Sequence, residues 1–160
     1  MNKELFISLG FEATQKNKQT IWTGSFNLTV ESIGYLKKTD NYSVILHETQ
    51  KISDRKKIGE YQIKGTLFLE FLQLEAFSIE STSQFQFFKR KTKLSDYYTL
   101  LGEHEPFLTT NGVQEILMEL IDFEVMISGE KNEVKFDFHL DENDIRSIAS
   151  IIKLIELIAS

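Results

Sequence analysis

The chain has 160 residues, enough for one domain that buries on the order of two-thirds of the surface its unfolded form exposes, and too few for two. Hydrophobic residues make up 41% and charged residues 26%, with thirteen Phe and no Cys; this excludes disordered and fibrous classes, disulfides, thiolate nucleophiles and iron–sulfur ligation, and calls for a Phe-rich interior. The net charge of −6 is split unevenly: residues 1–93 hold fourteen Lys/Arg against ten Asp/Glu, whereas residues 94–160 hold four against fourteen, which predicts an acidic C-terminal surface that steers basic partners and disfavours general nucleic-acid binding.

Leu5, Ile7, Leu9, Phe11 and Ala13 alternate with more polar neighbours, as do Trp22, Gly24, Phe26, Leu28 and Val30 after the polar stretch TQKNKQ. The period of two predicts two strands of a hairpin, with Trp22 in the core phase. The opening MNKELFISLGFEA lacks the sustained apolar segment of a secretory signal, so a cytoplasmic address is expected. ESIGYLKKTD reads as a connection, NYSVILHE as a third strand and QKISDRKKIGE as a solvated loop. Another strand begins near Glu60 with Tyr61, Ile63, Leu67 and Leu69 in phase; the phase switch at Leu72 and Leu74 fits a bulge, a break between strands or a short helix. Phe85 and Phe87 give one more alternating face.

After Lys93 the pattern turns helical. SDYYTLLG predicts a short helix capped by Ser95 and stopped by Gly102, and Pro106, the only proline, marks a break. Val113, Ile116, Leu117, Leu120 and Ile121 predict a helix over 112–122, with Asn111 and Gln114 as a capping box and Glu115, Glu119 and Asp122 on its outer face. Phe123, Val125 and Ile127, then Val134, Phe136, Phe138 and Leu140, predict a hairpin leading into a final helix, whose start Asp141 or Asn143 can cap and where Asp141, Glu142 and Asp144 complement the helix dipole.

That last helix carries two apolar stripes: Ile145, Ile148, Ile152, Ile155 and Ala159, and beside them Ile151, Leu154 and Ile158. An arc this wide exceeds what one sheet face covers, so the second stripe packs either against the helix over 112–122 or against another chain. Lys153 and Glu156 interrupt the segment, and no uncharged apolar run of about 18 residues occurs, so a membrane span is not expected.

Catalytic grammar is sparse. His47, His104 and His139 lie on separate segments and no HExxH, GxSxG, P-loop or GxGxxG is present, leaving no anchor for metal, acyl or nucleotide chemistry and no cofactor. DFHLD sets Asp137, His139 and Asp141 on one strand face, but over a span of about 13 Å, too far for one ion. EHEP and FQFFKRKTK read as a polar loop and as core phenylalanines beside a short basic run.

Together these features predict an α+β domain spanning residues 1–160: a mostly antiparallel sheet covered on one face by two or three helices, the C-terminal one included. KFDFHLDENDIRSIASIIKLIEL, an alternating strand running into an acid-capped helix, resembles over residues 135–157 the end of some small bacterial immunity proteins that neutralise contact-delivered toxins, without a diagnostic motif. The functional expectation is a non-catalytic interaction protein, of inhibitor or immunity type, that docks a basic protein through Glu115, Glu119, Asp122, Asp141, Glu142 and Asp144. The alternatives are a subunit self-associating as a homo-oligomer through Ile151, Leu154 and Ile158, or a small-molecule carrier with a Phe-lined cavity between sheet and helices.

Overall fold

The computed structural model describes residues 1–55, 60–82, 93–110, 112–140 and 144–159. Helix α1 (Lys3–Ser8) is followed by strands β1 (Glu12–Trp22), β2 (Asn27–Lys38), β3 (Tyr42–Ser53), β4 (Glu60–Leu69) and β5 (Leu74–Ser81). A 3-10 turn (Leu94–Asp96) leads into β6 (Tyr98–Gly102), α2 (Glu105–Leu108), α3 (Val113–Glu119), β7 (Glu124–Lys131), β8 (Glu133–Leu140) and α4 (Ile145–Ala159). The eight strands form one open sheet in the order β1-β2-β3-β4-β8-β7-β5-β6, antiparallel throughout. With four α-helices among the described residues, the C-terminal one included, the chain is α+β.

The core follows strand parity. Val44 and Leu46 on β3, Tyr61, Ile63 and Leu67 on β4, Ile127 on β7 and Val134, Phe136 and Phe138 on β8 are buried at alternate positions. They share one cluster with Phe6 of α1, Phe107 of α2, Ile116 and Leu117 of α3, and Ile148, Ile151, Ile152, Leu154 and Ile155 of α4. Fully burying a Leu or Ile side chain is worth about 2 kcal/mol, so these five residues make α4 the largest single helical contribution.

The N-terminus departs from the predicted strand. Residues 3–8 are helical, because Phe6, off the alternating phase, is the fully buried residue and stacks on Tyr35 at 4.1 Å, while Ile7 is half exposed. The helix stops in a Schellman turn: Gly10 takes φ +84, its N–H donates to Ile7 O at 3.0 Å, and Phe11 N–H donates to Phe6 O at 3.0 Å. Phe11 then meets Phe6 edge-on at 5.8 Å, the apolar contact that accompanies such an ending.

TQKNKQ is not a turn but the middle of β1, an edge strand whose lysines and bulge between Ala13 and Lys16 discourage pairing with another chain. The hairpin turn falls instead at Thr23–Phe26, where Gly24 supplies φ +86 and Thr23 N–H donates to Phe26 O at 3.0 Å. Trp22 therefore sits at the hairpin tip, 63% exposed and outside the core. Residues 31–38 extend β2 rather than connecting strands, and residues 49–53 extend β3. The phase switch near Leu72 is a break between β4 and β5, and residues 98–102 form a strand where a helix was expected. Tyr98 is buried there, its hydroxyl donating to Leu117 O at 2.7 Å. Asn111 of the expected capping box, like Phe85 and Phe87, lies outside the described residues; Gln114 instead donates to Leu108 O at 3.1 Å, tying α3 to α2.

Among the described residues, one charged side chain is buried with the core. Glu48 on β3 has no exposed surface. Its Oε2 accepts from the Tyr35 hydroxyl at 2.6 Å; its Oε1 accepts from the Tyr61 hydroxyl at 2.6 Å, from the Asn2 N–H at 2.6 Å and from the Asn2 side-chain amide at 3.3 Å. Burial, then the neighbouring Glu48 carboxylate, holds both tyrosine hydroxyls well above the ordinary tyrosine range.

Tyr35→Phe removes one donor to this carboxylate and is expected to cost about 2 kcal/mol; Glu48→Ala, which removes the acceptor shared by donors from three residues, is expected to cost about 4 kcal/mol, both read from urea unfolding curves. Alkali should act through the same residues. Tyr35, Tyr61 and Tyr98 all have raised pKa values when folded, so their contribution is complete below the unfolded value of about 10 and declines above it, as the unfolded chain loses protons first. Tyrosinate absorbance and loss of circular dichroism should accordingly rise together above about pH 10.

Candidate interaction surface

Glu115 and Glu119, one helical turn apart on α3, are both exposed, as is Asp122 just beyond it. Asp141 and Glu142 lie outside the described residues. Helices α3 and α4 pack side by side: a Cβ added to Gly112 before α3 would lie 3.2 Å from Leu157, and Glu119 at the end of α3 accepts from the Ser150 hydroxyl at 3.0 Å.

Asp144 serves its own helix. Its carboxylate accepts from the Arg146 N–H at 3.2 Å and the Ser147 hydroxyl at 2.9 Å, with the Arg146 guanidinium at 3.7 Å. The Ser147 hydroxyl first, and the Arg146 N–H after it, lower its pKa below the ordinary 3.8. It is an N-terminal cap with an attached cation, not an open carboxylate.

The second stripe of α4 is covered from within the chain. Ile151 and Leu154 are fully buried in the common core, so neither is free to pair with another molecule, and only Ile158 reaches the surface, partly. Helix α3 packs against α4, and its Val113, Ile116 and Leu117 are buried in the same core cluster.

Two features of this region were not evident from periodicity. Between Lys93 and Lys131 the chain has no Lys or Arg, against Asp96, Glu103, Glu105, Glu115, Glu119, Asp122, Glu124 and Glu130. Among the described residues, Glu103, Glu105, Glu115, Glu119, Asp122, Glu124 and Glu130 make no ion pair. An apolar groove of about 460 Å³, which Glu103 helps to line, lies between the β4–β5 turn, α2 and the end of α4. Leu72, Leu74, Phe77, Pro106, Phe107 and Ile158 line it; among the described residues Glu75 and Glu103 are its only charged ones, and no cation contributes. Phe71, next to it, is 83% exposed and Leu72 51%, an unusual amount of apolar surface for one turn.

The other chemistry suggested by the sequence remains local. Asp137 and His139 share a face and come within 3.2 Å, with Gln62 donating to Asp137 at 2.6 Å; among the described residues no three His, Asp or Glu side chains group as metal ligands. The His104 Nδ1 lies 2.9 Å from Gly102 O at the entry to α2. Most of KRKTK lies outside the described residues. No described helix is long and apolar enough to cross a membrane.

Comparison with protein-family models, with curated proteins and with solved structures finds no match.

The depressed Asp144 pKa fixes one pH dependence. Its stabilisation of α4 is complete above the unfolded carboxyl pKa and is lost as pH falls through the folded value. Between pH 5 and pH 2 the melting temperature of Asp144→Ala should therefore fall less than that of the wild type, as followed by circular dichroism.

Proposed function

We propose that the protein is a non-catalytic interaction module, of inhibitor or immunity type, that docks a basic protein through its acidic C-terminal half. In this reading the helices form a layer over one sheet face, and α3 presents Glu115, Glu119 and Asp122 from that layer. Glu103 and Glu75 continue the negative charge to the apolar groove. The observation that carries the reading is the absence of counter-charge: among the described residues, seven carboxylates between Lys93 and Lys131 have no ion-pair partner, and one of them, Glu103, lines a groove to which no described cation contributes. Unneutralised charge of one sign raises the encounter rate with the opposite sign, and an adjacent apolar pocket supplies residence time once contact is made. The fitting partner carries Lys/Arg around an apolar anchor.

The tagged protein purified from its host should bring down a basic protein. The association rate should then fall about tenfold or more at low salt, and depend less on salt, in the triple variant Glu115→Lys, Glu119→Lys, Asp122→Lys. A rate indifferent to these reversals overturns the reading. So does recovery of the chain alone; if light scattering then shows a dimer that Phe71→Lys dissolves, the groove is a self-association surface.

A further inference from the structure

The side of the sheet with parity opposite to the core has an architecture of its own. Strand register sets its side chains in rows across β3, β4, β8 and β7. One row reads His47, Lys64, Asp137, Met126, and the next reads Ile45, Thr66, Lys135, Ser128. Phe68 follows on β4, two residues beyond Thr66. Thr66 and Ser128 are short, whereas Ile45, Phe68 and Met126 around them are long and apolar, and the result is a depression of about 410 Å³. Ile45 and Met126 are 41% and 48% exposed, so their apolar surface is available to a ligand.

Charge distinguishes this depression from the acidic groove. Its lining carries Lys64, Lys135 and one carboxylate, Asp137. Asp137 is already engaged: Gln62 donates to it at 2.6 Å, and Lys64 and His139 each lie 3.2 Å away. Among the described residues Lys135 pairs only with Glu133, at 4.0 Å, and its side chain is 68% exposed. One ammonium group is thus left at the edge of an apolar dip, with the Ser128 and Thr66 hydroxyls in the same row. Met126 adds an adaptable wall that tolerates more than one apolar shape.

We infer that the sheet face of parity opposite to the core holds a binding site for a small amphipathic monoanion, a free carboxylate or sulfonate with an apolar chain or ring body, its anionic head on Lys135 and its body over Thr66 between Ile45, Phe68 and Met126. The volume lies within the range of small-molecule sites, which combine apolar walls with a few orienting polar groups. This site is independent of the acidic surface on α3 and uses none of its residues.

The test is an amide-resolved NMR titration of the full chain with decanoate, with decanol as the neutral analogue. Decanoate is expected to shift Ile45, Thr66, Met126 and Ser128 saturably, decanol to bind about tenfold more weakly, and Lys135→Glu to lose about tenfold in affinity, the size of one charge-assisted hydrogen bond. Thr66→Leu, which fills the dip, should abolish the shifts while Thr66→Val keeps them, and the Thr66 pair serves as the test if Lys135→Glu does not fold. Equal binding of decanol, shifts confined to Leu72 and Ile158, or binding unchanged by Thr66→Leu would overturn the site. Preferential binding to phosphatidylglycerol vesicles through the same residues would overturn its assignment to a free ligand.

Discussion

The buried Glu48 carboxylate constrains the fold more tightly than any other single group. A carboxylate without solvent must be met by donors at every oxygen, or it costs several kcal/mol. Here the donors come from both flanking strands and from the segment ahead of α1. Tyr35 and Tyr61 reach it because Ile33 and Ile63 are its direct partners in register, which places each tyrosine two residues along its strand, on the same face. A slip of one residue in either pairing would turn a tyrosine to the opposite side and strand the carboxylate. Glu48 therefore specifies the alignment of β2, β3 and β4 and seats the N-terminal helix, whose Phe6 stacks on the same Tyr35. Hydrophobic burial supplies most of the stability; the carboxylate decides which arrangement receives it.

The extent to which the fold could be read from residue order depends on how many residues repeat a period. β7, β8 and α4 are legible because three or four apolar residues in phase, or two full helical stripes, leave no competing period. Five residues from Leu5 to Ala13 fit alternation equally well, yet Phe6 falls in the opposite phase of that pattern and is fully buried. The local sign was present in Gly10 followed by Phe11, a helix ending that alternation hides. Gly24-Ser25 likewise marks the hairpin turn, but the polar TQKNKQ draws attention first; on an edge strand polar residues are protection rather than a break. Glu48 was within reach too, since continuing Val44 and Leu46 by one step lands on it.

The surfaces were less legible. Glu115, Glu119 and Asp122 could be placed outward because the opposite side of α3 is apolar. The apolar groove is assembled from residues 69–77, 103–110 and 158, which no spacing rule connects. The same holds for the dip over Thr66: parity indicates which residues face outward, but only the lateral order β3-β4-β8-β7 places short side chains in a row between long ones. Among the described residues, two concavities thus differ in charge, one carboxylate-rimmed at the end of the helices and one lysine-edged on the sheet face opposite the core.

The insertion of β8 and β7 between β4 and β5 carries a kinetic consequence. Residues 61–68 can complete their ladder only with residues 133–140, so the centre of the sheet closes through the most distant strand pairing in the fold. Loop closure of that length is entropically slow. Until it occurs, the first four strands form a meander whose inner border offers unpaired N–H and C=O groups, the condition under which chains associate with one another instead of folding. Recovery from denaturant should accordingly be sensitive to protein concentration, and β4 is the point of exposure.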